Sequence, residues 1–118
     1  MGRPMRPSDL DTASLPKLCN EALILSALLK GPRHGYQIAI ELETRSAGMF
    51  PFNHGTLYPI LHKLEKMGFI RGTWKQEEGV RKRKYYTLTK SGKTYLDTLN
   101  RDLKTLFHTL FRITEGEQ

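Results

Sequence analysis

The chain of 118 residues predicts a mainly α (α+β) fold with one modest core. Three observations carry this expectation. Apolar residues recur three and four apart in four separate stretches, as they do on helices with one buried face. Two short runs between the third and fourth stretches alternate apolar with polar residues and meet at Glu78-Gly79, as in a β-hairpin. Gly31-Pro32, Gly48 and Gly68 fall between the periodic stretches and punctuate them.

Residues 1–13 carry Pro4, Pro7 and little apolar content and read as a flexible N-terminal arm. Ser14 can cap a first helix that tolerates Pro16 in its first turn, with Leu15, Leu18, Ala22, Leu25 and Leu29 as its stripe. A second helix fits Gly35 to Arg45, with Tyr36, Ala39 and Leu42 inward and Glu41, Glu43 and Arg45 outward. Met49, Phe50 and Phe52 around Pro51 suit a packed connector.

Asn53 caps the third helix, which buries Leu57, Ile60, Leu61 and Leu64 and turns Thr56, Tyr58, His62 and Lys63 outward. Pro59 costs roughly 3 kcal/mol inside a helix and less if the regular helix begins near Tyr58; the sequence leaves both open. Phe69 to Gln76 reads as a strand with Ile70 and Trp74 on one face and Arg71, Thr73 and Lys75 on the other. Arg83 to Thr89 returns with Tyr86 and Leu88 inward. Three helices followed by a two-stranded hairpin is the order of a winged helix-turn-helix, here over residues 14–89.

Residues 90–118 form a last helix, capped by Thr89 or Ser91, and its tail. Leu96, Leu99, Leu103, Leu106, Leu110 and Ile113 alternate spacings of three and four, flanked by Phe107 and Phe111. Burying each fully is worth roughly 1.5–3 kcal/mol. A small winged core is too short to cover them all, so they are assigned to dimerisation with a second copy. The competing arrangement folds this helix back along the first, and the seam is shorter than the roughly three to four heptads of a secure coiled coil.

A net charge of +7 and a pI near 9.7 meet the basic-domain criterion for nucleic-acid binding. The charge is clustered: Arg71, Lys75, Arg81, Lys82, Arg83, Lys84, Lys90 and Lys93 lie close together, opposed there only by Glu77 and Glu78. Double-stranded DNA is the expected partner. Thr56, Tyr58, His62 and Lys63 can meet base edges or phosphates, and Arg81 to Lys84 phosphates. Asn53, Pro59 and Tyr85, on the same two segments, complete the candidate DNA-binding set. Arg3 and Arg6 could reach a minor groove.

The lone Cys19 excludes an internal disulfide and reads as a small buried hydrophobe. No apolar run approaches the roughly 20 residues of a membrane span, and Pro4, Pro7, Ser8, Asp9 and Asp11 break up any signal-peptide core. A cytoplasmic chain without a membrane partner follows. His34, His54, His62 and His108 lack paired ligand spacing, and Ser14, Ser26 and Ser91 sit in no nucleophile elbow. Metal, cofactor and enzyme activity are not expected.

From Leu18 onward the chain resembles the PadR family of bacterial transcriptional regulators, of the short type with one C-terminal helix. The resemblance rests on His34-Gly35-Tyr36, on Gly55-Thr56-Leu57-Tyr58-Pro59 with Leu61, Leu64-Glu65 and Gly68, and on Arg83-Lys84-Tyr85-Tyr86, Leu88-Thr89 and Gly92. It implies a homodimeric repressor whose third helices enter successive major grooves while the wings touch the backbone, and which releases DNA when a small molecule binds. Two departures stand out. Gly79-Val80 replaces a frequent pair of glycines in the wing turn, and Leu103 stands about where some drug-binding relatives carry a tryptophan. Leu18, Ala22, Leu103, Phe107 and Phe111 are candidates to line a site for a small hydrophobic or aromatic effector; a filled dimer core is the alternative. The competing function is a winged-helix protein-interaction adaptor or antirepressor that does not bind DNA, which would need an apolar third helix. An RNA-binding role would need a stacking platform that the hairpin lacks.

Overall fold

The computed structural model describes residues 16–79 and 81–116, and its elements run α1 Lys17–Ala27, β1 Arg33–His34, α2 Gly35–Arg45, α3 His54–Lys66, β2 Ile70–Lys75, β3 Arg83–Leu88 and α4 Lys90–Thr114. The expected arm at 1–13, with Arg3 and Arg6, the Ser14 cap, Leu15 and Val80 lie outside these residues. The three-stranded sheet has the order β1-β3-β2 and is antiparallel throughout. In β2 and β3, Ile70 faces Leu88 and Lys75 faces Arg83, so the wing is the predicted hairpin.

The strand β1 was not expected. Arg33 and His34 pair with Tyr86 and Tyr85 and join the entrance of α2 to the wing. Two residues are too few to carry a readable alternation.

The core gathers one face from every helix. Ile24, Leu25, Ile38, Leu61, Leu64, Ile70 and Leu96 are fully buried, with Leu28, Leu42, Leu57, Tyr86 and Leu99 around them. The face of α1 is rotated from the expected stripe: Glu21, Ile24, Ala27 and Leu28 turn inward with Ala22 and Leu25, while Leu18 and Leu29 are exposed. The helix starts from Pro16 with no side-chain cap and ends at Ala27, so Leu29 falls in the following turn. In α2 the expected Leu42 is buried and Ala39 partly so, Ile38 turns inward with them, and Tyr36 points out. Glu41, expected outside, is half-buried 3.8 Å from Arg33 and 3.6 Å from Arg45. Phe52 packs on the core, as a packed connector requires.

Asn53 caps α3 as expected, its side chain accepting from Thr56 N at 2.9 Å. The helix begins at His54, so Pro59 lies in its second turn, opposite the carbonyl of Gly55. Thr89 caps α4, accepting from Gly92 N at 3.0 Å. Trp74 is 59% exposed rather than inward with Ile70, because the hairpin runs out beyond the core. The positive φ that the wing turn requires falls on Gly79, at +76°. No helix among the described residues is long and apolar enough to cross a membrane.

Candidate nucleic-acid interface

The exposed face of α3 and the wing enclose a groove of about 620 Å³. Tyr58, Arg81, Lys82, Arg83 and Lys84 line it, together with His34, Gly35, Tyr36, His54, Trp74 and Tyr86. Cations and hydrogen-bonding aromatic groups therefore share one open concavity, which suits a backbone of phosphates and the edges of bases. Thr56, Pro59 and His62 are exposed on the same helix.

His34 and Gly35 hold the groove together. A side chain at Gly35 would displace the Tyr58 ring, because a Cβ there would lie 2.5 Å from the Tyr58 hydroxyl. Tyr58 can thus lie over the start of α2, with its ring stacked on His54 at 5.3 Å. His34 stands at the N-cap of α2: its N–H donates to Gln37 Oε1 at 3.1 Å, and its Nδ1 lies 3.3 Å from Gln37 N. Its Nε2 accepts from Arg83 Nη1 at 2.8 Å. A neutral imidazole has only one ring nitrogen with a free lone pair, so the two nitrogens cannot both accept. The shorter Arg83 bond is the stronger claim. Burial, and then the Arg83 charge, hold the His34 pKa below its ordinary 6.5, against an opposing pull from Glu77.

The four wing cations are not equivalent. Gly72 has no side chain, and Lys84 reaches across it to Glu65 Oε1 at 2.8 Å, with its ammonium over the Trp74 and Tyr86 rings. The Glu65 bond is the main reason that the Lys84 pKa is raised. Arg83 is engaged by His34. Arg81 and Lys82 are exposed at the tip. The Tyr85 hydroxyl donates to Glu77, which raises its pKa, and Lys75 lies over its ring.

Lys63, a candidate for the DNA face, donates to Glu21 Oε2 at 2.8 Å. A lone acid amid the apolar residues of α1 was the available sign of this pairing. Cys19 is only partly buried, and burial raises its pKa. Of the candidate effector-lining residues, Ala22 belongs to the core, Leu103 and Phe107 are half-buried, and Leu18 and Phe111 are exposed. Along the candidate dimer seam, Leu96 and Leu99 are buried within the chain, whereas Leu106, Leu110, Phe111 and Ile113 stand exposed. No group of three or more potential metal ligands occurs among the described residues.

Comparison with known proteins gives this geometry a family. The profile of the transcriptional regulator PadR-like family matches residues 24–98. A PadR family transcriptional regulator from Eggerthella lenta superposes with a TM-score of 0.78 at 26% identity, over 90% of each chain. A protein of Streptococcus mutans UA159 gives 0.74 at 35% identity, covering 88% of this chain and 93% of its own. Bacillus subtilis PadR, solved in complex with operator DNA, gives 0.62 at 32% identity, over 68% of this chain and 45% of that one. With a matching profile, a shared fold and a basic groove beside an exposed helix, the chain belongs to the PadR-like family of transcriptional regulators, DNA-binding proteins and not enzymes.

Proposed function

We propose that this regulator is a cytoplasmic homodimeric repressor that holds a pseudo-palindromic operator until a small hydrophobic or aromatic effector releases it. The observation that carries the reading is the exposed face of α3 set against a groove rimmed by Arg81, Lys82, Arg83 and Lys84. In this reading Thr56, Tyr58 and His62 address the major groove, Arg81 and Lys82 grip phosphates, and Asn53, Pro59 and Tyr85 shape the two elements. Paired half-sites lie about one duplex turn apart. In the same reading the exposed residues on the far half of α4 supply the dimer contact, and Leu18, Phe107 and Phe111, which are exposed or half-buried in one chain, are the candidates to line an effector site between two copies. The 32%-identical Bacillus subtilis PadR, solved with operator DNA, supports the same mode here. Against an adaptor that ignores DNA stands the polar character of Thr56 and His62 on an exposed face.

A mobility-shift titration with duplex from the gene's own upstream region, at two salt concentrations, tests the reading. A retarded species that weakens steeply at the higher salt is expected, each neutralised phosphate contributing about −0.9 to the slope of log affinity against log salt. No retardation at either concentration refutes it.

A further inference from the structure

We propose that Glu21 and Tyr95 are positioning residues that fix the angle between α3 and α4, and with it the half-site spacing that a dimer accepts. This rests on the DNA-binding dimer proposed above. Glu21 lies on the inner face of α1 at 3% exposure. Its Oε2 accepts from Lys63 Nζ of α3 at 2.8 Å, and its Oε1 accepts from Tyr95 Oη of α4 at 2.5 Å. A buried carboxylate is unfavourable unless it is paired and hydrogen-bonded; here each oxygen is satisfied by a different helix. Burial, and then the bond to Glu21, push the Tyr95 hydroxyl up to about 12, so it remains a donor across the physiological range.

A second junction makes this contact an angle-setting one. The end of α3 is pinned to the start of α4 where Gly68 O accepts from Thr89 Oγ1 at 2.7 Å and Ser91 Oγ at 3.0 Å, and Thr89 N donates to Phe69 O at 3.1 Å. One junction alone is a pivot. Lys63 lies more than a turn back along α3 and Tyr95 more than a turn onward along α4, so the shared carboxylate adds a second fixed point. From Tyr95 to Thr114 the helix extends roughly 28 Å, and a rotation of about 10° at its base moves the far end by about 5 Å. That exceeds the roughly 3.4 Å rise between bases along one strand. An ammonium held in this way belongs to the frame of the reading helix rather than to a phosphate.

The test begins with a duplex selected from a randomised pool by the wild-type chain, then lengthened or shortened by one base pair between half-sites. Tyr95→Phe removes only the hydroxyl and keeps the ring on Phe69, while Lys63→Met acts on a side chain that is half exposed. Each variant should lose roughly two- to thirtyfold of the wild-type preference for the selected spacing, with dimerisation and non-specific DNA affinity unchanged in Tyr95→Phe. Lys63→Met should leave the salt slope unaltered, and the double variant should be no worse than the poorer single. Undiminished spacing preference in either folded variant overturns the proposal. So does a fall of about 0.9 in the magnitude of the Lys63→Met slope, which makes that lysine a phosphate contact. Should the wild-type chain select no duplex, the DNA-binding reading itself fails, and this proposal with it.

Discussion

His34 serves two elements: its backbone N–H donates to Gln37 Oε1 in the first turn of α2, and its ring accepts from the Arg83 guanidinium of the wing. Around the ring, the Arg83 guanidinium would oppose an imidazolium, Glu77 pulls the other way, and the rings of Tyr36 and Tyr85 lie alongside. Its pKa in the fold lies below the ordinary 6.5, so on acidification the unfolded chain takes up this proton first. Its contribution is complete above about pH 6.5 and is lost as pH falls below it. Urea midpoints should therefore drop between pH 7.5 and 5.5, and His34→Asn, which suits a helix N-cap and does not titrate, should flatten that drop. An identical pH profile in the variant would contradict this. Nothing in the sequence marks His34 as a cap, since histidine is not among the residues that favour that position. It was legible only as part of a motif. Glu21 was hidden for another reason: a stripe drawn through leucines alone skips the acid beside Ala22.

At the scale of the element, the wing shows how neighbouring charges acquire different duties. Alternation along the returning strand leads one to expect that only some of the cations face DNA; in the structure the division follows side-chain partners instead. Lys84 is tied to Glu65 over Gly72 and Arg83 to His34, while Arg81 and Lys82 remain exposed. Arg81→Ala and Lys82→Ala should each reduce the magnitude of the salt slope of operator binding by about 0.9, and Lys84→Ala by much less. Anisotropy titrations over a salt series measure this, and equal slopes for all three variants would argue against it. The helix order, the Asn53 and Thr89 caps and the hairpin were legible because each has a strong local signal in period, cap or turn. Trp74 was misplaced because alternation fixes which residues share a face, not where the core beneath that face ends. The lone acid of α1 could signal that Glu21 needs a partner but not that the partner is Lys63, which lies on another helix, distant in sequence.

At the scale of the whole molecule, α4 divides into two parts. Leu96 and Leu99 complete the core, whereas Leu106, Leu110, Phe111 and Ile113 are 49%, 44%, 53% and 64% exposed. Full burial of such side chains is worth roughly 1.5–3 kcal/mol each, a large incentive for a second copy to cover them. Leu106→Glu combined with Leu110→Glu should yield a monomer by light scattering that still unfolds cooperatively, because neither side chain belongs to the core, at a temperature no longer dependent on protein concentration. Operator affinity should fall with the dimer. A double variant that remains dimeric would place the contact elsewhere.

If the bare half of α4 joins two chains, the number of molecules in the cell becomes a control variable. If operator binding needs two chains joined there, scarce chains drift apart and leave the promoter open, and occupancy at low abundance grows as the square of their concentration. Modest changes in expression would then be converted into a sharp threshold.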